Sequence, residues 1–256
     1  MNKAHPLRDA GLAISLMTIV PTSARMPEDG TVPQVAGWFP AVGLALGAVG
    51  YTLVKVVGAY PLRHAQPFLL AALIVTFWAI ATRMMHLDGL ADVADGYWGS
   101  HDPARRLEIM SDSHVGAFGA SAITLVLIVE IMAIGSINFA PHELPLLLVP
   151  AIARFSATAG CWLGKPARQG GLGRSVMARP TVLGAMPALV VFVGVAAVSW
   201  LIYGVTGAVL FTVGILLALG IPHVLARRFG GVTGDVLGAS VLLTETILFV
   251  AFALVG

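Results

Sequence analysis

Residues 182–203 read VLGAMPALVVFVGVAAVSWLIY, a run of 22 positions without a charge. At 1.5 Å of rise per residue, a helix needs roughly 20 residues to cross the hydrocarbon core of a bilayer, and this stretch suffices. Working outward, apolar stretches of the same character occupy 38–60, 67–82, 115–137, 144–162, 205–221 and 236–255. The chain is therefore read as an all-α integral membrane protein with about seven transmembrane helices, of which the second and sixth are short. A further run at 10–20 is too short to cross, and is expected to lie at the interface or to re-enter.

Composition leads to the same place. Of 256 residues, 57% are hydrophobic and 11% charged, with a mean hydropathy of +0.88. A soluble domain carries roughly 25% charged residues, so a soluble globular enzyme is excluded. The net charge of +2 is too small to suggest a nucleic-acid partner. Cys161 is the single cysteine, which excludes an internal disulfide. Lys3 and Arg8 before the run at 10–20 imitate a signal peptide, but the following Pro21-Thr-Ser-Ala-Arg25 offers no small-x-small cleavage site, so the segment is expected to be retained. No fixed-period repeat is visible, and 1–256 reads as a single polytopic membrane domain.

Basic residues test this topology independently, because positively charged loops are translocated poorly. With seven spans and a cytoplasmic N-terminus, twelve basic residues fall in inside loops: Lys3, Arg8, Arg25, Arg83, Arg105, Arg106, Lys165, Arg168, Arg174, Arg179, Arg227 and Arg228. Only Arg63 falls outside, Lys55 and Arg154 lie within spans, and the C-terminus is expected outside. The outer loops are short and nearly uncharged. The inner connections, 83–114, 163–181 and 222–235, hold most of the acids, histidines and glycines, so an active site is expected to face the cytoplasm.

The densest chemical signal is His86-Leu-Asp88-Gly89-Leu-Ala-Asp92-Val-Ala-Asp95-Gly96. At about 100° per residue, Asp88, Asp92 and Asp95 fall within an arc of about 60° on a helix. Carboxylates so close raise one another's pKa unless a cation sits among them, and hard oxygen ligands select Mg²⁺, Mn²⁺ or Ca²⁺. A solvated acidic loop is the plain alternative, yet the interleaved Leu87, Leu90, Ala91, Val93 and Ala94 point to packing against neighbouring helices. His86 is read as a hydrogen-bonded structural residue at least as readily as a ligand or base. Downstream, Asp112 and Ser113 are expected to cap the helix entering the third span. The other reading of Asp112 is a further carboxylate near the metal, with the helix start holding a phosphate.

A third cluster, Arg227-Arg228-Phe-Gly230-Gly231-Val-Thr233-Gly234-Asp235, precedes the last span. Arginines offer forked donors for phosphate, and Gly231 and Gly234 let backbone approach a ligand closely. Positive-inside anchoring and an ordinary turn explain each feature singly. Asp235 is read either as a carboxylate near the metal or as a helix cap. Gly170-Gly171-Leu172-Gly173-Arg174 adds a second basic, Gly-rich segment on the same side. Within the spans, Glu130 and Arg154 are expected to pair, while Glu245 has no evident partner.

Taken together, His86-Leu-Asp88-Gly89-Leu-Ala91-Asp92-x-x-Asp95-Gly96, Leu107-Glu-Ile-Met110-x-Asp112-Ser113-x-x-Gly116 and Gly230-Gly231-x-Thr233-Gly234-Asp235-x-Leu237-Gly238-Ala239 resemble the cobalamin synthase family, the bacterial adenosylcobinamide-GDP ribazoletransferases. Trp38-Phe39-Pro40-x-x-Gly43, Arg154, Gly171-Leu172-Gly173 and Glu245 extend the resemblance over nearly the whole chain. The chain departs from the family at Met17-Thr18-Ile19-Val20-Pro21, where the family carries Thr-Arg-hydrophobic-Pro and this chain has Arg25 only further on.

The resemblance implies a transferase of the bacterial inner membrane in the last joining step of cobalamin biosynthesis. In that step α-ribazole, or α-ribazole 5′-phosphate, attacks adenosylcobinamide-GDP, giving adenosylcobalamin or its 5′-phosphate and releasing GMP. Mg²⁺ on Asp88, Asp92 and Asp95 suits that chemistry, with Arg227, Arg228, Gly231, Gly234, Asp235 and Asp112 on the substrate side. The partners expected are these substrates and the lipid bilayer, and a homo-oligomer is compatible with the sequence. A CDP-alcohol phosphotransferase would instead require Asp-Gly-x-x-Ala-Arg, but Asp92 stands where its Arg belongs and the second half of its motif is absent. An ion-coupled transporter would explain Glu130 and Glu245, yet the acids cluster outside the spans.

Overall fold

The computed structural model describes residues 5–27, 32, 34–58, 67–137, 143–168, 172–177 and 179–255. Among these, regular structure is helical apart from an isolated bridge between Pro166 and Val232. In order come α1 (Pro6–Met17), a 3-10 turn (Val35–Trp38) leading into α2 (Phe39–Gly58), α3 (Pro67–Ala81), α4 (Met85–Gly99), α5 (Pro103–Ile109), α6 (Ala117–Ser136), α7 (Pro145–Leu163), α8 (Leu172–Val176), α9 (Val182–Arg228) and α10 (Gly234–Val255). Lys3, Arg63, Gly170, Gly171 and Gly256 lie outside the described residues.

Five helices among the described residues are long and apolar enough to cross a membrane, and six if α3 and α4 are taken as one bent span. The all-α membrane architecture stands, while the expected seven exceeds this count in two places. First, α3 has only 15 residues, and its continuation α4 turns away by 87°. The break is made at Arg83 and Met84, both left-handed with φ of 55° and 56°. Second, α9 counts once although Gly204 breaks it with φ 56° and ψ −132°. A Cβ on Gly207 would meet the Ser199 carbonyl oxygen at 2.0 Å, so the chain doubles back and 182–203 lies against 205–228 as a helical hairpin. The inner connections are also more ordered than expected. Residues 83–114 form α4 and α5, and α9 runs through 222–228, where Leu225, Ala226, Arg227 and Arg228 are all good helix formers.

Helices α7 and α10 are buried along most of their length and form the centre of the bundle, whereas α6 and α9 are mostly exposed. The exposed side chains of α6 include Leu125, Ile128, Val129 and Met132, an exterior suited to hydrocarbon. Gly43 and Gly47 bring α2 against α7. Cβ atoms there would lie 2.3 Å from the Pro150 carbonyl oxygen and 2.6 Å from that of Leu147, the close approach that a small-x-x-x-small spacing permits.

Deep in the bundle, Arg154 pairs with Glu245 at 2.6 Å, not with Glu130 as the sequence suggested. Glu130 instead accepts a hydrogen bond from Thr246 Oγ1 at 3.2 Å. The correction follows from α10, which packs against both α6 and α7 and supplies both partners. A cavity of about 30 Å³ beside the pair is lined by His86, Glu130, Arg154 and Glu245, and has room for about one water.

The connections gather at one end of the bundle. Ile19 N–H donates to the Ala81 carbonyl (2.8 Å), Val32 N–H to that of Ser175 (2.8 Å), and Val232 N–H to that of Lys165 (2.7 Å). Thr181 N–H donates to Gln34 Oε1 at 2.9 Å at the same end. The Gly204 turn and the ion pair of Lys55 with Glu143 mark the opposite end.

Removing one member of the Arg154–Glu245 pair leaves a buried charge without its partner. Arg154→Ala is expected to cost about 3–5 kcal/mol, read by unfolding of the detergent-solubilised protein, while Arg154→Met with Glu245→Leu recovers most of that loss. A double variant no more stable than the single one contradicts the pairing.

Candidate active site where α4 meets α10

The site begins with the helix that the Asp88 motif forms. Its apolar positions Leu90, Ala91, Val93 and Ala94 are buried, which presses α4 against its neighbours and sets the acids toward the polar end of the bundle. A Cβ on Gly89 would meet the Asp235 carbonyl oxygen at 2.8 Å, so the first turn of α10 sits directly on α4. Thr233 starts that turn. Its Oγ1 accepts from Val236 N–H at 3.1 Å and donates to Asp235 Oδ2 at 3.3 Å. Thr233 is thus the cap of α10, and Asp235 is a carboxylate in its first turn beside α4, not the cap.

Asp88 is exposed, Asp92 half-buried and Asp95 buried. The Asp92 carboxyl is pushed up to about 7, by burial first and then by the neighbouring charges of Asp235, Asp88 and Asp95, with Arg168 opposing. The charges of Asp88, Asp95 and Asp235 thus all reach Asp92. Asp95 has a further task, since its Oδ2 accepts from Gly116 N–H at 2.7 Å and its Oδ1 from Gly119 N–H at 2.9 Å. That carboxylate caps α6 from another helix. The cap expected from Asp112 and Ser113 is accordingly not made, because α6 begins only at Ala117. Asp112 stands in an exposed turn, bonded to the ring and backbone of its own neighbour His114. With Asp95 on its amides, the start of α6 is not open to a phosphate.

As the side chains stand, no three Asp, Glu, His or Cys among the described residues converge tightly enough to hold a metal ion. The donor set nonetheless suits a hard divalent cation, being all carboxylate, and Asp88 is free to rotate at the surface.

The glycines divide by role. Gly231, at φ 156°, lies so near the 165–168 segment that a Cβ would meet Ala167 N at 2.6 Å, which makes it a packing position. Gly234 is exposed and a Cβ there meets nothing, so the α10 start is open to an approaching ligand. Arg227 and Arg228 are exposed in the last turn of α9. The basic residue whose charge reaches Asp92 and Asp235 is Arg168, which the sequence reading counted only as a loop charge. Its signal was modest: a basic residue two positions before Gly170-Gly171. Arg106, also counted as a loop charge, is buried and donates to the carbonyls of Ser100, Tyr97 and Arg228, tying α4, α5 and α9 together.

With this geometry in hand, the cobalamin-5-phosphate synthase family matches residues 9–253. The chain belongs to the cobalamin-5-phosphate synthase family. Relatives named adenosylcobinamide-GDP ribazoletransferase include those of Syntrophobacter fumaroxidans (39% identical, covering 95% of this chain and 97% of the relative) and Frankia casuarinae (34%, 96% and 94%). That of Stutzerimonas stutzeri is 34% identical, over 95% of this chain and 97% of the relative. No solved structure matches. The family assignment spans α1 to α10, so the α4–α10 junction lies wholly inside the shared region.

The raised proton affinity of Asp92 has a stability consequence. Folded, the group titrates near 7; unfolded, near its ordinary 3.8. Between those values the folded protein keeps a proton that the unfolded chain has lost, so stability falls as pH rises through the window. In EDTA, thermal unfolding of the wild type is expected to show this decline and Asp92→Asn to flatten it. Equal slopes in both proteins contradict the placement of Asp92 among Asp88, Asp95, Asp235 and Arg168.

Proposed function

We propose that this chain transfers the adenosylcobinamide phosphate of adenosylcobinamide-GDP to α-ribazole or α-ribazole 5′-phosphate, with release of GMP. The observation that carries the reading is the carboxylate cluster of Asp88, Asp92, Asp95 and Asp235 at the junction of α4 and α10, in a chain whose full-length relatives bear that enzyme's name. The hydroxyl oxygen of the ribazole attacks the phosphorus nearer the corrinoid, and a new P–O bond forms. The bond from that phosphorus to the bridging oxygen breaks, so GMP leaves with the bridging oxygen. The hydroxyl proton passes to a carboxylate of the cluster.

Asp88 and Asp92, with Asp235 facing them, would hold Mg²⁺, while Asp95 keeps α6 in place beside them. Bound there, the cation would offset charge on the phosphate oxygens and the departing GMP. Arg227 and Arg228 stand at the rim, where they extend a positive field toward an anionic substrate. The polar end faces the cytoplasm of a bacterial inner membrane, a placement supported by the twelve-to-one distribution of basic loop residues.

Purified protein given adenosylcobinamide-GDP, α-ribazole and Mg²⁺ is expected to release GMP. Asp88→Asn and Asp92→Asn should each lower kcat by about 100-fold or more with the protein still membrane-inserted, and EDTA should abolish turnover. Full activity in EDTA, or in the double Asn variant, contradicts the metal role. No GMP from the wild type contradicts the reaction itself.

A further inference from the structure

Arg168 is held near the α4–α10 junction by three hydrogen bonds. The chain just before it is paired to the α10 approach, with Ala167 N–H donating to the Val232 carbonyl at 3.0 Å and Val232 N–H donating to that of Lys165 at 2.7 Å. This short parallel bridge leaves Gly231 against Ala167 with no room for a side chain. On the other side, the Arg168 guanidinium donates to the Leu107 carbonyl at the end of α5. The side chain therefore reaches from the segment after α7, itself bridged to the approach of α10, to α5, at the end of the bundle where Asp92 and Asp235 lie.

That position differs from those of three other arginines at this end. Arg106 is buried and spends its donors on three backbone carbonyls. Arg105 is paired with Glu108 at 2.6 Å. Arg83 donates to the carbonyls of Ser15 and Leu16. Arg168 is exposed, and its bond to Leu107 uses one of five guanidinium N–H groups, so a planar fork remains for a ligand.

We infer that Arg168 is the pyrophosphate clamp of this site, gripping the nucleoside diphosphate of the activated substrate from the side opposite Asp88, Asp92 and Asp235. The inference rests on the ribazoletransferase reading for its substrate, and on the geometry alone for its ligand chemistry. A pyrophosphate lying beside the open backbone at Gly234 would be within reach of the guanidinium and of a cation held by the carboxylates. On the ribazoletransferase reading, the fork of Arg168 takes oxygens of one phosphate while the second stays beside the carboxylates. Until the ligand arrives, the same guanidinium offsets the charge of Asp92 and Asp235, so the site does not carry four acids without a cation.

The test compares wild type, Arg168→Ala and Arg168→Lys in two measurements. One is kinetics with each substrate varied in turn, and the other is equilibrium binding of GDP with Mg²⁺ to the detergent-solubilised protein. Arg168→Ala is expected to lose about 10- to 100-fold in kcat/KM for adenosylcobinamide-GDP and a similar factor in GDP affinity, with KM for α-ribazole within about twofold of wild type. Arg168→Lys should recover part of both losses, since it keeps the charge without the fork. A folded Arg168→Ala protein with wild-type kcat/KM and GDP affinity overturns the clamp. So does an equal rise in both KM values, which marks a general disturbance of the 165–168 segment. If the wild type releases no GMP while GDP binding still depends on Arg168, the reaction reading fails and the clamp stands.

Discussion

The contact of Gly89 with the first turn of α10 is the constraint on which the site depends. With the Asp235 carbonyl only 2.8 Å from where a Cβ would sit, a side chain at 89 would push α10 away from α4. The displacement would separate Asp235 from Asp88 and Asp92, and would pull on the Val232–Lys165 pairing that carries Arg168. One missing methyl group thus holds three segments, distant in sequence, around a common volume. The cost to the helix of a glycine at this position, about 1 kcal/mol in an exposed helix, is offset by the packing it permits.

The rest of the fold serves to hold that junction still. α10 is anchored below by Glu245 on Arg154 and by Thr246 on Glu130, so its first turn cannot slide along α4 without disturbing bonds deep in the bundle. α4 is fixed at its far end by Arg106, whose guanidinium also lies 5.0 Å from the Tyr97 ring and 5.7 Å from that of Phe229. Asp95 joins α4 to α6. The acids are therefore carried on a helix restrained on several sides, which suits a reaction whose catalysis depends on positioning charge.

Much of this was legible in the sequence, for identifiable reasons. Long uncharged runs have one stable environment, and the hydropathy of α2, α6, α7 and α10 announced them. The 3.6-residue period put Asp88, Asp92 and Asp95 on one side of α4. Partnerships between helices were less legible, because depth along a span says nothing about which neighbour faces it. Glu130 and Arg154 lie on adjacent spans in the chain, but Glu245 on α10 lies closer in space. Asp112 looked like a cap because the apolar run seemed to begin at Val115, whereas the cap comes from Asp95, 21 residues upstream of Gly116. Arg168 was legible only as a positive charge, since its value lies in a two-residue bridge that no periodicity reveals.

The hairpin at Gly204 bears on how the chain enters the bilayer. Its two arms carry no Asp, Glu, Lys or Arg until Arg227, so the tip offers almost nothing polar to drag through hydrocarbon. Two apolar arms joined by a tight turn can partition sideways from the insertion machinery as one unit, satisfying their backbone hydrogen bonds as they go. The pair of arginines at the end of the second arm then stays on the side of entry. Biogenesis and architecture coincide here: the hairpin that inserts as one unit also returns the chain to the start of α10 on the side from which it entered.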